Sequence, residues 1–239
     1  MNDATQPRPS GLIAAWAVHA FTAGGAVLAL LALLAVERGD FRIALAWLVA
    51  ALAVDGVDGT LARRAQVKTR LPRIDGAALD LIIDYLTYVF VPALLIVRAG
   101  LVPAALAPML AALILVSSLY VFARADMKTE DNYFRGFPAL WNLVAFYLFV
   151  AGPGETAGAV IVACLAVATF LPIHFVHPFR VKDYGRWLPA LALAWAAATA
   201  ALLWTGWSEN ARMALFAASA ASALALVGLG LWRTARGAV

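Results

Sequence analysis

Residues 55–63, Asp-Gly-Val-Asp-Gly-Thr-Leu-Ala-Arg, and residues 76–84, Gly-Ala-Ala-Leu-Asp-Leu-Ile-Ile-Asp, are separated by twelve residues. They place four carboxylates and three glycines at the inner ends of two apolar runs. An ionised carboxylate at membrane depth is costly, so acids at such positions indicate a functional site by default. The rest of the chain is expected to house that site.

The spacing of the acids predicts two facing stripes. In a helix, Asp55 and Asp58 lie three residues apart and share a face, and Asp80 and Asp84 do the same at a spacing of four. Four carboxylates that face one another repel, unless cations lie between them. Because hard divalent ions favour oxygen ligands, the pattern predicts a pair of Mg²⁺ or Mn²⁺ ions.

The residues between the acids suit a phosphorylated substrate. Glycine has no side chain, so Gly59 leaves backbone open to close approach. Arg63 can present a planar pair of donors to a phosphate.

The two segments resemble the signature of the CDP-alcohol phosphotransferase family, Asp-x-x-Asp-Gly-x-x-Ala-Arg, a spacer, then Gly-x-x-x-Asp-x-x-x-Asp. Every fixed position is matched, by Asp55, Asp58, Gly59, Ala62, Arg63, Gly76, Asp80 and Asp84. The spacer is longer than in most of the family and is similar to the variant of the bacterial phosphatidylcholine synthases. The first-helix sequence Ala-Ala-Trp-Ala-Val-His, ending at His19, favours the same branch.

The resemblance implies that an alcohol attacks the β-phosphorus of CDP-diacylglycerol, so that the phosphatidyl group is transferred and CMP leaves. It implies that Asp55, Asp58 and Asp80 ligate two Mn²⁺ or Mg²⁺ ions, with Asp84 as a further ligand or as the base that accepts the alcohol proton. We favour the base. The residues implied to line the CDP site are Gly59, Ala62, Arg63, Gly76, His19 and Thr22. His19 stands where many family members have Asn, and an ordinary core histidine is the alternative.

Composition independently predicts an integral membrane protein. Of 239 residues, 64% are hydrophobic and 13% charged, and the mean hydropathy is +0.85, well above a soluble domain. The single cysteine, Cys164, excludes a disulfide framework, and its apolar surroundings predict a buried structural thiol.

The apolar runs predict an all-α fold with eight transmembrane helices. They cover residues 12–36, 43–61, 77–97, 102–122, 137–151, 157–175, 187–206 and 212–232, and each approaches the roughly 20 residues that cross a bilayer. Residues 1–10 are polar and predict a flexible tail, and residues 11–239 predict one membrane domain.

The basic residues predict the orientation. With both termini on one side, all but four of the 18 Lys and Arg residues fall on that side. The exceptions are Arg38, Arg42, Arg98 and Arg212. The positive-inside rule therefore places both termini and the acid cluster at the cytoplasmic face of the bacterial inner membrane. The basic residues form no soluble module, so a nucleic-acid partner is not expected.

The segment between the fourth and fifth runs supplies a hypothesis for the acceptor alcohol. Aromatic faces and nearby carboxylates suit a quaternary ammonium such as choline. The candidate choline-binding residues are Tyr120, Glu130, Asp131, Tyr133, Phe134 and Trp141. The alternative is an ordinary amphipathic interfacial loop.

Two rival functions stay open at this stage. Phosphatidylserine synthesis would use the same site, with Arg135 available for the carboxylate of serine. An ion-coupled transporter would need a polar path beyond Asp84, where the sequence soon becomes apolar. Family members are commonly dimers, so the resemblance allows a homodimer, although no span dictates a contact face.

Overall fold

The computed structural model describes residues 9–237, which are almost entirely helical. Its helices are α1 (Pro9–Glu37), α2 (Phe41–Arg64), α3 (Val67–Arg70), α4 (Gly76–Asp84), a π-helical segment (Tyr85–Phe90), α5 (Val91–Arg98), α6 (Ala107–Ala123), α7 (Trp141–Ala151), α8 (Glu155–Ala168), α9 (Trp187–Ala201) and α10 (Glu209–Ala235). Two short strands, β1 (Phe134–Arg135) and β2 (His174–Phe175), form an antiparallel pair. The all-α prediction is confirmed, and the predicted tail lies largely outside the described residues.

Four helical stretches of the described chain are long and apolar enough to cross a bilayer. They are Gly11–Glu37, Phe41–Arg64, Gly76–Arg98 and Glu209–Ala235. The other four predicted runs overlap the shorter apolar helices α6, α7, α8 and α9. Many apolar side chains of the long and the shorter helices are exposed, as a lipid environment permits.

The chain forms two compact units, Met1–Pro92 and Ala93–Val239, called here the N-terminal and C-terminal units. In the N-terminal unit, α1 packs along α2 and also contacts α4. Ala15, Ala29 and Ala32 of α1 are buried, and their small side chains let neighbouring helix backbones approach closely.

The helix that carries the second acid stripe begins and continues in distinctive ways. The Asp75 side chain caps its start by accepting hydrogen bonds from the Ala77 and Ala78 N–H groups, at 3.0 and 3.1 Å. After Asp84 the helix passes into the π-helical segment, whose end is marked by donation from the Val91 N–H to the Leu86 carbonyl. Such segments are frequent at functional sites.

In the C-terminal unit, the ends of the predicted fifth and sixth spans differ from the structure. Helix α7 begins at Trp141 and α8 ends at Ala168, so residues 137–140 and 169–175 are not α-helical. The Gly136 N–H donates to the Ile173 carbonyl, and the Phe137 N–H donates to the Ala168 carbonyl. Backbone N–H groups at the start of the predicted fifth span therefore find their hydrogen-bond acceptors at the end of the predicted sixth span instead of within a helix of their own.

Gly136 makes that close pairing feasible. Its φ is +79°, and a Cβ at this position would collide with the Thr169 carbonyl oxygen. Only glycine combines this backbone conformation with such an approach at little cost.

The prediction that Cys164 is buried was wrong. Its side chain is exposed, whereas Gly158, Val162 and Ala166 are the buried residues of α8. These three recur every four residues, and Cys164 falls off that stripe. An apolar run without a pronounced polar face does not tell which side of a helix is inward.

Candidate active site

Three of the four predicted acids converge in the N-terminal unit. Asp55 projects from α2, and Asp80 and Asp84 project from α4. Each offers a carboxylate oxygen, and these oxygens all lie within 4.8 Å of one another. Within residues 9–237, this is the group of acid, histidine or cysteine side chains gathered closely enough to hold a metal ion. We call it the carboxylate cluster.

Asp58, the fourth acid, lies outside the carboxylate cluster. It is 6% exposed, and its carboxylate is hydrogen-bonded to Thr22 of α1, which is 8% exposed. The hydroxyl is the donor, because an ionised carboxylate only accepts. Thr22 therefore contacts one of the signature acids, which agrees with the position that the family resemblance implied for it.

His19, one turn before Thr22, lies against the start of α4. A Cβ placed on Gly76 would lie 3.1 Å from Cε1 of His19, so the glycine makes room for the ring. His19 is 7% exposed. Its Nε2 is the buried side-chain nitrogen or oxygen for which the described residues supply no hydrogen-bond partner. A buried polar atom of this kind calls for an explanation, and a ligand is one.

Tyr88 is a member of the site that the sequence analysis missed as a functional residue. It is 7% exposed, and its hydroxyl donates to Oδ2 of Asp55 at 2.7 Å. Tyr88 follows Asp84 by four residues, so it extends the stripe formed by Asp80 and Asp84. Continuing that spacing by one step would have identified it. Its hydrogen bond orients one carboxylate of the cluster.

The remaining signature residues line α2 near its end. Gly59 and Ala62 are half-buried, whereas Arg63 is exposed and donates to Oγ1 of Thr60 at 2.9 Å. The guanidinium therefore lies back along its own helix rather than on the carboxylate cluster.

The unusually long spacer has its own structure. Helix α3 forms within it, and Arg70 donates to the Gly11 carbonyl at 3.1 Å and to Oε1 of Gln66 at 3.2 Å. The spacer is thereby tied to the beginning of α1.

The predicted choline-binding residues lie in the C-terminal unit, in several different environments. Trp141 is fully buried and donates to Oγ of Ser118 at 2.8 Å, whereas Glu130 is exposed. The Asp131 carboxylate accepts from Nε and Nη2 of Arg233 at 2.9 and 3.0 Å. Burial raises the pKa of Asp131, but the hydrogen bonds from Thr129 and Arg233 outweigh it and leave the pKa below its usual value.

Three of the candidate rings already carry a cation from the chain itself. Arg124 lies over Tyr120 at 5.2 Å from the ring centroid. Lys128 lies over Phe134 at 4.7 Å, and Arg233 lies over Tyr133 at 4.6 Å. These contacts have cation–π geometry. Choline would have to displace one of these cations or use another face.

Tyr133 belongs to the core of its unit. It is fully buried, packs with Val176, Val181 and Leu188, and donates from its hydroxyl to Asp183 at 2.9 Å. Burial, together with Tyr184 and Asp183, raises the pKa of this phenol. Its contacts are those of a structural anchor.

The ligand atoms that the carboxylate cluster offers suit a hard divalent cation. All are carboxylate oxygens, and their charges repel one another without a cation. Asp55, Asp80 and Asp84 are the residues that would hold it. Bound there, Mg²⁺ or Mn²⁺ would neutralise pyrophosphate oxygens and the charge that develops on a leaving phosphate.

Comparisons with known proteins agree with the motif and the geometry. The CDP-alcohol phosphatidyltransferase family model matches residues 17–197. A phosphatidylcholine synthase of Pseudomonas aeruginosa is 45% identical over 222 residues, covering 93% of this chain and 92% of that protein. A phosphatidylcholine synthase of Bradyrhizobium diazoefficiens is 48% identical over 186 residues, covering 78% and 69%. One of Borreliella burgdorferi is 37% identical over 172 residues, covering 72% and 74%. The chain belongs to the CDP-alcohol phosphatidyltransferase family.

Proposed function

We propose that this chain is a phosphatidylcholine synthase, which transfers the phosphatidyl group of CDP-diacylglycerol to choline and releases CMP. The observation that carries the choice of acceptor is the 45% identity to a phosphatidylcholine synthase across nearly the full length of both chains. The carboxylate cluster supports the transferase chemistry, because its oxygens suit the ions that bind a pyrophosphate.

The reaction is a direct displacement at phosphorus. The choline hydroxyl oxygen forms a bond to the β-phosphorus, and the bond from that phosphorus to the bridging pyrophosphate oxygen breaks. CMP leaves with that oxygen, and the hydroxyl proton passes to the Asp84 carboxylate. A carboxylate in this position accepts the proton as the hydroxyl becomes more acidic during attack. Asp55 and Asp80 would hold the metal together with Asp84, and Asp58 would contribute charge from its position beside Thr22.

The CDP moiety is proposed to lie between the signature and α1. The unpartnered Nε2 of His19 supports this, since a cytidine or phosphate group would supply its missing hydrogen bond. Gly59, Ala62 and Gly76 give room, and Arg63 reaches a phosphate by leaving Thr60. Thr22 orients Asp58.

For choline, Phe134 is the candidate ring that the contacts favour. It is partly exposed, unlike Tyr133 and Trp141. His177 stacks on it with ring centroids 5.5 Å apart, and Lys128 lies over it. A lysine stem is flexible, so its ammonium can leave the ring as choline arrives. Glu130 adds negative charge to the same segment, whereas the charge of Asp131 is paired with Arg233.

This choline subsite is tested by a pair of substitutions. Phe134→Leu should raise the KM for choline by roughly tenfold, the value of a desolvated cation–π contact. Lys128→Gln should lower that KM, because a competing cation is removed. Tyr120→Leu provides a matched loss of an exposed ring. An unchanged KM in both Phe134→Leu and Lys128→Gln would move the choline site away from this segment.

We also propose the membrane arrangement. All eight apolar runs cross the bacterial inner membrane, both termini and the active site face the cytoplasm, and residues 11–239 act as one domain after a flexible tail. The bias of Lys and Arg supports the orientation. A homodimer is compatible with this arrangement. Cysteine accessibility at residues 38 and 182 would check it, since only position 182 should react from the cytoplasmic side.

The acceptor is tested directly with the purified chain in detergent. CDP-diacylglycerol and Mn²⁺ are offered with choline, serine, inositol or glycerol 3-phosphate in parallel, and CMP and the lipid product are measured. Choline-dependent CMP with phosphatidylcholine is the expected result. Release with serine alone would overturn the acceptor while keeping the chemistry.

A further inference from the structure

A pocket of about 480 Å³ lies within the C-terminal unit, and none of its lining residues belongs to the carboxylate cluster. Side chains near the ends of α6, α8 and α10 line it, together with the segment around β1 and β2. The lining residues that matter here are Arg124, Arg135, His174, Tyr120, Phe170 and Leu171. None of them is a residue of the family signature. Tyr120 and Arg135, which the sequence analysis considered for an acceptor alcohol, have no role in the proposed displacement.

The pocket has a positive lining. Arg124 donates to both carboxylate oxygens of Asp126, at 2.8 and 2.9 Å, and Arg135 donates to one of them at 3.3 Å. Two guanidinium groups thus share one carboxylate, which leaves one positive charge uncompensated among these three residues. Asp126 itself has a side chain that is 58% exposed, so water weakens its neutralising effect.

His174 reports the same positive potential. Arg233 and Arg135 lie close enough to its imidazole to act on it electrostatically, with Asp131 as an opposing charge. Its Nδ1 lies 3.2 Å from the Thr234 hydroxyl.

The rim of the pocket is apolar and open. Phe170 is 55% exposed, Leu171 is 47% exposed and Tyr120 is 45% exposed. The rings of Tyr120 and Phe170 contact each other at 4.9 Å between centroids. Both α6 and α8 are apolar helices that end beside this rim. Exposed apolar residues next to arginines are typical of the boundary between lipid tails and head groups.

We propose that this pocket binds the phosphate of an anionic phospholipid, with Arg124 and Arg135 on the phosphate and the acyl chains over Phe170 and Leu171. Arginine provides planar donor pairs that match phosphate oxygens. Arg124 already lies over the face of Tyr120, so the pocket selects an anion and disfavours a second cation such as choline. Free phosphate shares the head-group chemistry but makes no use of the rim.

The experiment measures retention of radiolabelled phosphatidylglycerol by the full-length chain in non-ionic detergent micelles. The wild type should show saturable binding. Arg124→Gln with Arg135→Gln should weaken it at least fivefold. Arg180→Gln with Arg186→Gln removes the same charge from exposed positions of the same unit and should change it less than twofold. The single variant Arg135→Gln, which loses only one hydrogen bond to Asp126, serves if the double variant does not fold.

Two further arms identify the source of the phosphate. Phosphatidylcholine and diacylglycerol should be retained at least fivefold less well than phosphatidylglycerol, and millimolar inorganic phosphate should not displace the lipid. Equal retention of all three lipids, or unchanged retention by the arginine variants, would overturn the proposal. Displacement by inorganic phosphate at matching concentration would assign the pocket to a soluble anion and overturn the lipid assignment.

Discussion

Three acids of the N-terminal unit gather beside one another, whereas two acids of the C-terminal unit pair with arginines. Asp55, Asp80 and Asp84 bring their oxygens within 4.8 Å of one another. Asp126 instead meets Arg124, and Asp131 meets Arg233. The like charges of the first arrangement repel one another and would be stabilised by a metal ion, whereas each carboxylate of the second arrangement forms an ion pair with an arginine. Under the proposed function, the same residue type serves catalysis in one unit and structure in the other.

Removal of the proposed base tests these roles through enzymatic activity and should have the greatest effect. Asp84→Asn should lower kcat by at least ~10³-fold, because it removes the base while preserving the shape of the side chain. CDP-diacylglycerol should still bind. CMP release and lipid binding, measured on the same preparation, check this. Glu155→Gln, a matched change at an exposed position, should retain activity. Near-normal turnover of Asp84→Asn would remove the proposed base.

The second prediction tests the structural character of the C-terminal unit through pH. Burial, with smaller effects of Lys128 and Arg180, lowers the pKa of His177 from 6.5 to about 4. The unfolded chain therefore binds a proton between those values and the folded chain does not. This contribution to stability is present above pH 6.5 and is lost as the pH falls towards 4, up to about 3 kcal/mol.

Thermal unfolding in detergent between pH 4 and pH 7 measures this effect. His177→Gln should flatten the dependence in that window. An equally steep curve in His177→Gln would show that another group controls the acid sensitivity.

The third prediction compares one acid from each unit by stability. Asp131→Asn should lower the free energy of unfolding by about 1–2 kcal/mol, since it removes the ionic partner of Arg233, which is 5% exposed. Asp80→Asn should raise the stability of the metal-free chain by roughly 1 kcal/mol, because repulsion in the carboxylate cluster is relieved. Unfolding with and without Mn²⁺ measures both.

The stabilisation by Mn²⁺ distinguishes Asp131→Asn from Asp80→Asn further. Mn²⁺ should stabilise the wild type and Asp131→Asn alike, and should stabilise Asp80→Asn much less. If Asp80→Asn destabilised the metal-free chain as much as Asp131→Asn does, the distinction between the two groups of acids would fail.

The smallest expected effect concerns the buried histidine of α1. His19→Phe removes an unpartnered polar atom and keeps a ring of similar shape, so the free energy of unfolding should stay the same or rise. The KM for CDP-diacylglycerol should rise roughly tenfold, the cost of about one lost hydrogen bond. Steady-state kinetics beside thermal unfolding distinguish this from a purely structural histidine, for which KM would not change.

Much of the N-terminal unit follows from residue spacing. The apolar runs predicted the helices α2 and α4, and the intervals of three and four residues between the acids predicted that four carboxylates converge, of which three do. The π-helical segment after Asp84 was not predictable, because its residues also suit an α-helix. Nor did spacing reveal that Asp58 would lie against Thr22, since a neighbouring helix decides that contact.

The class of the protein, the helical architecture and three of the four acids expected in the carboxylate cluster follow from the sequence alone. These depend on hydropathy and on helix periodicity, which are local properties. The surroundings of the candidate choline-binding aromatic residues depend on tertiary packing, which local patterns in the sequence do not report. Tyr133 and Trp141 are core residues, and Arg124, Lys128 and Arg233 cover candidate choline rings. Arg233 follows Tyr133 by a hundred residues, so no periodicity reports their contact, and packing alone brings the cation to the ring.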